Sequence, residues 1–130
     1  MLSQQLLNNY LVDLNELKIK KREKFMTAEQ ILCSASSYTE KFYFNSKYSN
    51  LPKKVQDEIQ IAMVIFTEDI GGEIYLFFDD EGNLNIATDY DEADYYYDEI
   101  GSGLKVAQMQ REKRELFEQL EEYYRNFFLN

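Results

Sequence analysis

The residues that could do chemistry in this chain are concentrated in one stretch, DYDEADYYYDEIGSG, which spans residues 89–103. Carboxylates and phenols together can bind a cation, serve as acid and base, or form a protein-binding surface. The candidate partner-binding residues are Asp89, Tyr90, Asp91, Glu92, Asp94, Tyr95, Tyr96, Tyr97, Asp98 and Glu99. Composition and spacing decide between these three uses.

Catalysis is disfavoured by what the chain lacks. The sequence contains no histidine, which is the usual general base near neutral pH. Cys33 lies in an apolar run without a cationic neighbour, which is typical of a small core residue. A carboxylate pair could serve a hydrolase, but fourteen acids between residues 55 and 103 specify no particular pair. We therefore predict a non-enzymatic protein and assign no catalytic residue, metal ligand or cofactor.

Cation binding is the alternative function that the acidic stretch allows. Calcium prefers several oxygen ligands, and Asp89, Asp91, Glu92 and Asp94 could supply them. The glycine and the twelfth-position glutamate of an EF-hand loop are both missing. Divalent-cation or small-ligand binding is therefore the second hypothesis, and a carboxylate-based hydrolase or a nucleic-acid mimic follows it.

The charge distribution favours a protein partner. Residues 55–103 carry fourteen acids and no base in a chain of net charge −10. Such a field repels nucleic acid and anionic lipid and attracts basic proteins. Tyrosine is enriched where proteins meet. We predict an interaction module that docks a basic surface on its acidic, tyrosine-rich face, and no nucleic-acid or membrane binding. The competing interpretation is a solvated loop anchored by inward-facing tyrosines.

Helical periodicity predicts three helices that must position this stretch. Leucines and a tyrosine recur at spacings of three and four over residues 2–24, as in an amphipathic helix. A second helix begins near Pro52 and ends at the glycine pair 71–72. Ile61, Val64 and Ile65 widen its apolar face, so we expect it to be largely buried. The longest helix begins at Leu104 and continues to residue 128 near heptad spacing.

The tripeptide GSG at 101–103 precedes that last helix. Free N–H groups at a helix start can bind phosphate, but Asp98 and Glu99 immediately upstream would repel an anion. We therefore interpret the tripeptide as a flexible helix entry with Ser102 as the N-cap.

Alternating short runs predict two antiparallel hairpins. The first joins residues 31–38 to 40–46, and the second joins 73–79 to 84–90 through DEGN, with Gly82 in the left-handed region. The element order α–ββ–α–ββ–α predicts an α+β fold, with helices packed on a four-stranded antiparallel sheet. We divide the chain into an N-terminal helical extension, residues 1–29, and a single α+β domain, residues 30–130.

Location and assembly follow from simpler features. No apolar run approaches the roughly 18 residues of a membrane span. The start of the chain does not have the pattern of a signal peptide. The single cysteine fits a reducing compartment, so we expect a cytoplasmic protein. The two amphipathic helices, 2–24 and 104–128, could pair within one chain or form a homodimer.

Four stretches of the chain are distinctive in their order and spacing: ILCSASSYTEKFYFN, FTEDIGGEIYLFFDDEGNL, YYYDEIGSGLK and QREKRELFEQLEEYYRNFFL. With them the chain resembles a family of small, uncharacterised proteins from clostridial-type Firmicutes, described as a domain of unknown function. The resemblance covers about residues 31–129 and leaves the N-terminal helix outside. It implies a bacterial source, and it implies no activity, cofactor or catalytic residue.

Overall fold

The structure is a computed structural model, and it describes residues 27–129. The helix predicted over residues 2–24 lies outside the described residues. Within them the chain forms four strands and three α-helices: β1 (Ile31–Ser36), β2 (Lys41–Phe44), α1 (Lys53–Ile70), β3 (Glu73–Phe78), β4 (Leu84–Asp89), α2 (Glu99–Glu112) and α3 (Arg114–Phe128). A short 3-10 helix, Ser46–Tyr48, lies between β2 and α1. None of these helices is long and apolar enough to cross a membrane.

The described strands form a four-stranded antiparallel sheet in the order β2-β1-β3-β4. Each predicted hairpin pairs its own strands, and β1 pairs with β3 to join the two hairpins. Gly82 has a φ of +84° in the turn of the second hairpin, a conformation that glycine adopts without steric cost. The predicted α+β class and antiparallel sheet are therefore confirmed.

One face of the sheet forms the main core with all three helices. Alternate residues of the strands point to the same face, and the register assigns to this face Cys33, Ala35, Phe42, Phe44, Ile74, Leu76, Phe78, Leu84 and Ile86. The helices add Ile59, Met63, Phe66, Met109, Leu120 and Tyr124 to the same cluster. The described helices therefore pack on one side of the sheet.

Helix α1 begins and ends where the sequence predicts. Pro52 precedes its first residue, a position at which the missing N–H of proline costs nothing. Gly71 and Gly72 follow its last residue with φ values of +88° and +69°. Left-handed glycines are common at the ends of helices.

The expectation that α1 is largely buried is wrong. Ile59, Met63 and Phe66 are buried, but Ile61 and Ile65 are exposed. Each residue turns a helix by about 100°, so a side chain two positions away from the buried stripe points away from the sheet. A single sheet surface covers one stripe of a helix, and Ile61 and Ile65 instead line an open groove between α1 and α2.

The prediction of one C-terminal helix starting at Leu104 is also wrong. Helix α2 starts five residues earlier, at Glu99, and the chain leaves helical geometry at Lys113, with φ −107° and ψ 17°. An unbroken helix over residues 99–128 would be about 45 Å long. Each long strand of the sheet spans only about 20 Å.

The break at Lys113 lets both helices reach the core. Met109 of α2 and Leu120 of α3 are both buried in the main cluster. The side chain of Lys113 forms an ion pair with Glu58 of α1, with 3.0 Å between Nζ and Oε2. The heptad-like spacing of apolar residues continues through the break, and so the sequence pattern does not reveal it.

An aromatic cluster packs α3 against one end of the sheet. The ring of Tyr48 lies 5.6 Å from that of Phe78 and 5.3 Å from that of Phe128. Phe78 and Tyr124 stack with 4.2 Å between centroids. The hydroxyl of Tyr48 donates a 2.5 Å hydrogen bond to the carbonyl oxygen of Glu29. Aromatic pairs stabilise a fold beyond the area that they bury, so Tyr48 connects the entry to β1 with the C-terminal helix.

We predict that Tyr48→Ala lowers the free energy of unfolding by about 3–5 kcal/mol, because it removes a fully buried ring. Tyr48→Phe keeps the ring and loses one hydrogen bond, which costs about 1 kcal/mol. Urea unfolding followed by circular dichroism measures both changes. Tyr96→Ala, at an exposed position, is the control and should change stability little. Equal losses from the two substitutions at Tyr48 would contradict a packing role.

Candidate functional site

The candidate partner-binding residues form one connection, the acidic loop (residues 89–99), between β4 and α2. Some of its carboxylates stabilise turns by accepting hydrogen bonds from nearby backbone N–H groups. The Asp91 side chain accepts a 2.9 Å hydrogen bond from the Ala93 N–H, and the Asp91 carbonyl accepts one of 2.8 Å from the Asp94 N–H. Aspartate favours such turns because its side chain bonds nearby backbone. Part of the acidic composition therefore serves turn formation.

Tyr38, in the turn between β1 and β2, holds the acidic loop from outside. Its hydroxyl donates to Asp94 Oδ2 at 2.8 Å and accepts from the Asp91 N–H at 3.0 Å. Desolvation, together with the nearby Asp94 carboxylate, raises the pKa of Tyr38 to about 12. Because the ordinary value is about 10, the stabilisation from this protonated phenol is complete below about pH 10. It is lost as the pH rises towards 12.

Two of the four loop tyrosines support the loop from inside. The rings of Tyr90 and Tyr97 stack with 4.3 Å between centroids and 10° between planes. The hydroxyl of Tyr97 donates to Ser102 Oγ at 2.7 Å, and that of Tyr90 donates to the Glu99 carboxylate. The stacked pair therefore ties the start of the loop to the first turn of α2.

Gly72 makes room for this stack. A Cβ atom at that position would lie 2.6 Å from Cε1 of Tyr97 and 2.7 Å from the Asp89 carbonyl oxygen. Real Cβ contacts are not that short, so a side chain at position 72 would displace the Tyr97 ring. Gly72, the second glycine after α1, thus also shapes the acidic loop, whereas the sequence indicated only that the glycine pair ends the helix.

The helix entry differs from the sequence prediction. Asp98 is the N-cap of α2, and its Oδ1 accepts a 2.9 Å hydrogen bond from the Gly101 N–H. Ser102, predicted as the cap, is buried in the first turn beneath Tyr97. Aspartate is among the strongest N-cap residues. A Cβ atom on Gly101 would collide with the Asp98 carboxylate, which explains the glycine.

Tyr95 and Tyr96 point into solvent, with 88% and 97% of their surface exposed. Ile100 and Leu104, one turn apart on α2, are also largely exposed. We call these four residues the exposed aromatic-aliphatic patch. They follow one another along the chain from the tip of the loop onto α2.

Most carboxylates of the acidic loop accept hydrogen bonds from nearby groups. Five of its six carboxylates, those of Asp89, Asp91, Asp94, Asp98 and Glu99, accept hydrogen bonds from within the described residues. Glu92 accepts none there. These hydrogen bonds do not remove the charge, so the loop keeps its negative field. The structure thus brings the ten candidate residues onto one loop and divides them between supporting and outward-facing roles.

Neither a metal cluster nor a reactive thiol appears in the described part of the chain. Within residues 27–129, no three aspartate, glutamate or cysteine side chains come together in a way that could hold a metal ion. Cys33 is completely buried in the main core, and desolvation raises the pKa of its thiol far above the ordinary value. Its surroundings are those of a structural cysteine.

A cleft of about 500 Å³ lies between the first hairpin and α1. Its lining is mixed, with hydroxyls, charges and apolar groups contributed by Ala35, Ser36, Ser37, Glu40, Lys41, Phe42, Gln60, Val64, Thr67 and Glu68. The volume is within the range of small-molecule sites. Sequence reasoning missed this cleft because only the fold places the first hairpin beside α1.

The geometry defines a small α+β domain with a braced acidic loop and an outward-facing tyrosine pair. The sequence profile of a family of unknown function, DUF6145, matches residues 29–130. The chain belongs to that family, as the resemblance found in the sequence predicted. Searches of curated proteins and of solved structures find no match.

We predict that Tyr38→Phe loosens the acidic loop and leaves the fold intact. The variant loses the acceptor for the Asp91 N–H, a contact worth about 1 kcal/mol, so that amide should exchange with deuterium about fivefold faster. Exchange measured by NMR tests this, with the amides of β1 as an internal reference.

Tyr95→Phe is the matched control for that experiment, because it removes a hydroxyl from an exposed ring of the same loop. Its amide exchange should equal that of the wild type. Unchanged exchange at Asp91 in the Tyr38→Phe variant would show that the loop holds its shape without this contact.

Proposed function

We propose that this protein is a non-enzymatic interaction module that docks a basic protein surface on its acidic loop. The observation that supports the proposal is the almost complete exposure of two adjacent tyrosines, Tyr95 and Tyr96, on a loop that is braced at several points. Aromatic rings in water gain free energy when a partner buries them. Tyrosine is among the residues that most often dominate binding energies at protein interfaces.

The bracing matters because ordering a loop on binding costs free energy. Tyr38 holds the middle of the loop, and the stacked pair of Tyr90 and Tyr97 holds its ends. A surface already held in one shape loses less conformational entropy when it binds. The supporting tyrosines therefore favour binding by holding the loop in one shape, although only the exposed tyrosines would contact a partner.

The sign of the loop charge supports a basic partner. Every carboxylate of the acidic loop lies near the exposed tyrosines along the chain, and no lysine or arginine occurs between residues 55 and 103. Complementary charge accelerates association and excludes partners of like charge. Glu92, which accepts no hydrogen bond among the described residues, can pair with a partner cation without breaking the loop.

We predict that Tyr95→Ser combined with Tyr96→Ser reduces capture of basic proteins by the immobilised full chain about tenfold or more. Each lost aromatic anchor is expected to cost about 1–2 kcal/mol. Capture from lysate at low salt, quantified by mass spectrometry, provides the measurement. Recovery should also fall with added salt, since the attraction is partly electrostatic.

Phe127→Ser combined with Glu118→Gln is the control for that variant, because it removes an exposed ring and a charge from α3. It should leave capture unchanged. Equal recovery of the same basic proteins by the wild type and the tyrosine variant, with both folded by circular dichroism, would rule out the acidic loop as the docking site.

A second candidate is small-ligand binding in the 500 Å³ cleft. Its hydroxyls, together with Lys41, Glu40 and Glu68, suit a small polar ligand that carries a positive and a negative group.

We predict that such a ligand, found by a thermal-shift screen of polar metabolites, raises the melting temperature of the wild type and not that of the Ser37→Trp variant, in which the new side chain fills the cleft. A ligand at 100 times its Kd stabilises by about 2.7 kcal/mol. The same shift in both proteins would place the ligand elsewhere.

Homodimerisation and the cytoplasmic location stay predictions. Leu120 and Tyr124 of α3 pack into the core of their own chain, so a dimer through residues 104–128 would use residues left outside that core. Exposed candidates for such a contact are Leu104 and Phe127.

A further inference from the structure

The sheet has a second face, opposite the helices, on which apolar residues of the two central strands lie beside Ser34. The register assigns Ile31 opposite Phe77, Ser34 opposite Tyr75, and Tyr75 opposite Ala87 on this face. Ile31, Tyr75 and Phe77 do not belong to the main core cluster. We call these residues, together with Ser34, Tyr43 and Ala87, the second face.

The second face is nonetheless shielded from water. Ile31, Tyr75 and Phe77 are 2%, 1% and 3% exposed. The hydroxyl of Ser34 is also buried, and it has no hydrogen-bond partner among the described residues. A side chain on the outer surface of a sheet loses contact with water only when something lies over it. The second face therefore has a cover.

The described residues do not supply that cover at the Ile31 end. All three helices pack on the opposite face. The acidic loop contacts Tyr38 and Gly72, at the far end of the strands. Phe77 lies four positions along β3 from Glu73, which is beside that loop, and four positions span about 13 Å of a strand.

We propose that residues 2–24 of the same chain form the cover, with the apolar side of their predicted helix on the second face. Apolar residues recur there at helical spacing: Leu6, Leu7, Tyr10, Leu11, Leu14 and Leu17. From the first to the last of these, a helix rises about 17 Å. A six-residue strand of the sheet is about 20 Å long, so the stripe matches the surface.

Connectivity and charge support the same occupant. The segment ends seven residues before the first residue of β1, which lies in the middle of the sheet. Gln30 donates to Asp80 Oδ1 at 2.8 Å, and this bond places the entry to β1 beside the acidic turn at residues 79–81. The basic run KIKKREK, residues 18–24, ends six residues before Gln30 and can reach that turn, since six residues span up to about 20 Å.

The proposal predicts that Leu11→Asp combined with Leu14→Asp uncovers Tyr75 in the full-length protein. Nitration with tetranitromethane, followed by peptide mass spectrometry, measures each tyrosine separately. Tyr75 should react about tenfold faster than in the wild type. Tyr48, in the main core, should stay protected in both proteins, and the exposed Tyr96 should react in both.

Gln5→Asp combined with Asn9→Asp is the matched control, because it adds the same charge away from the apolar stripe. It should leave Tyr75 protected. If Tyr48 also reacts in the leucine variant, Leu11→Ala combined with Leu14→Ala replaces it as a milder change, and the ratio of Tyr75 to Tyr48 reactivity is compared.

Three results would overturn the proposal. Tyr75 could react fully in the wild type, which would show that the second face has no stable cover. Tyr75 could stay protected in both leucine variants while Tyr48 shows that the main core is intact, which would assign the cover to other residues. It could become reactive on dilution while light scattering shows a dimer dissociating, which would make a second copy the occupant.

Discussion

Antiparallel pairing of β1 with β3 is the interaction on which the rest of the structure depends. It joins two hairpins that are separate along the chain and makes both strands central in the sheet. It also aligns Ser36 with Glu73, which in turn faces Asp89 across β3 and β4. Because of this register, the turn that contains Tyr38 and the acidic loop lie at the same end of the strands. The contact of Tyr38 with Asp94 follows directly from the pairing of the strands.

Acidic residues in this protein shape the backbone as well as the surface charge. Asp91 forms a turn, Asp98 caps α2, and Asp94 accepts a hydrogen bond from Tyr38. Each role uses one carboxylate oxygen and leaves the negative charge in place. The same residues can therefore fix the loop and attract a basic partner. A count of acids could not separate these two roles.

The tyrosines divide in a comparable way. Tyr48 sits in the main core, Tyr38, Tyr90 and Tyr97 brace the acidic loop, and Tyr95 and Tyr96 face solvent. A phenol suits all three environments because its ring packs and its hydroxyl bonds. The functional proposal uses only the outermost pair, whereas the stability of the loop relies on the others. The second face, which holds Tyr75, is a separate surface whose apolar side chains are buried.

Local patterns in the sequence determined the elements and several of their ends. Alternation predicted the two hairpins, Gly82 the turn of the second, and Pro52 with Gly71 the ends of α1, because each depends on neighbours within a few residues. Only the tertiary structure decided the break at Lys113, the exposure of Ile61 and which tyrosines face outward. Those outcomes depend on which residues lie across the sheet or beside the helix. These neighbours are far apart in sequence, whereas periodicity relates only residues a few positions apart. The family match agrees with the resemblance read from the residues, while the cleft and the second face came from the packing of distant elements.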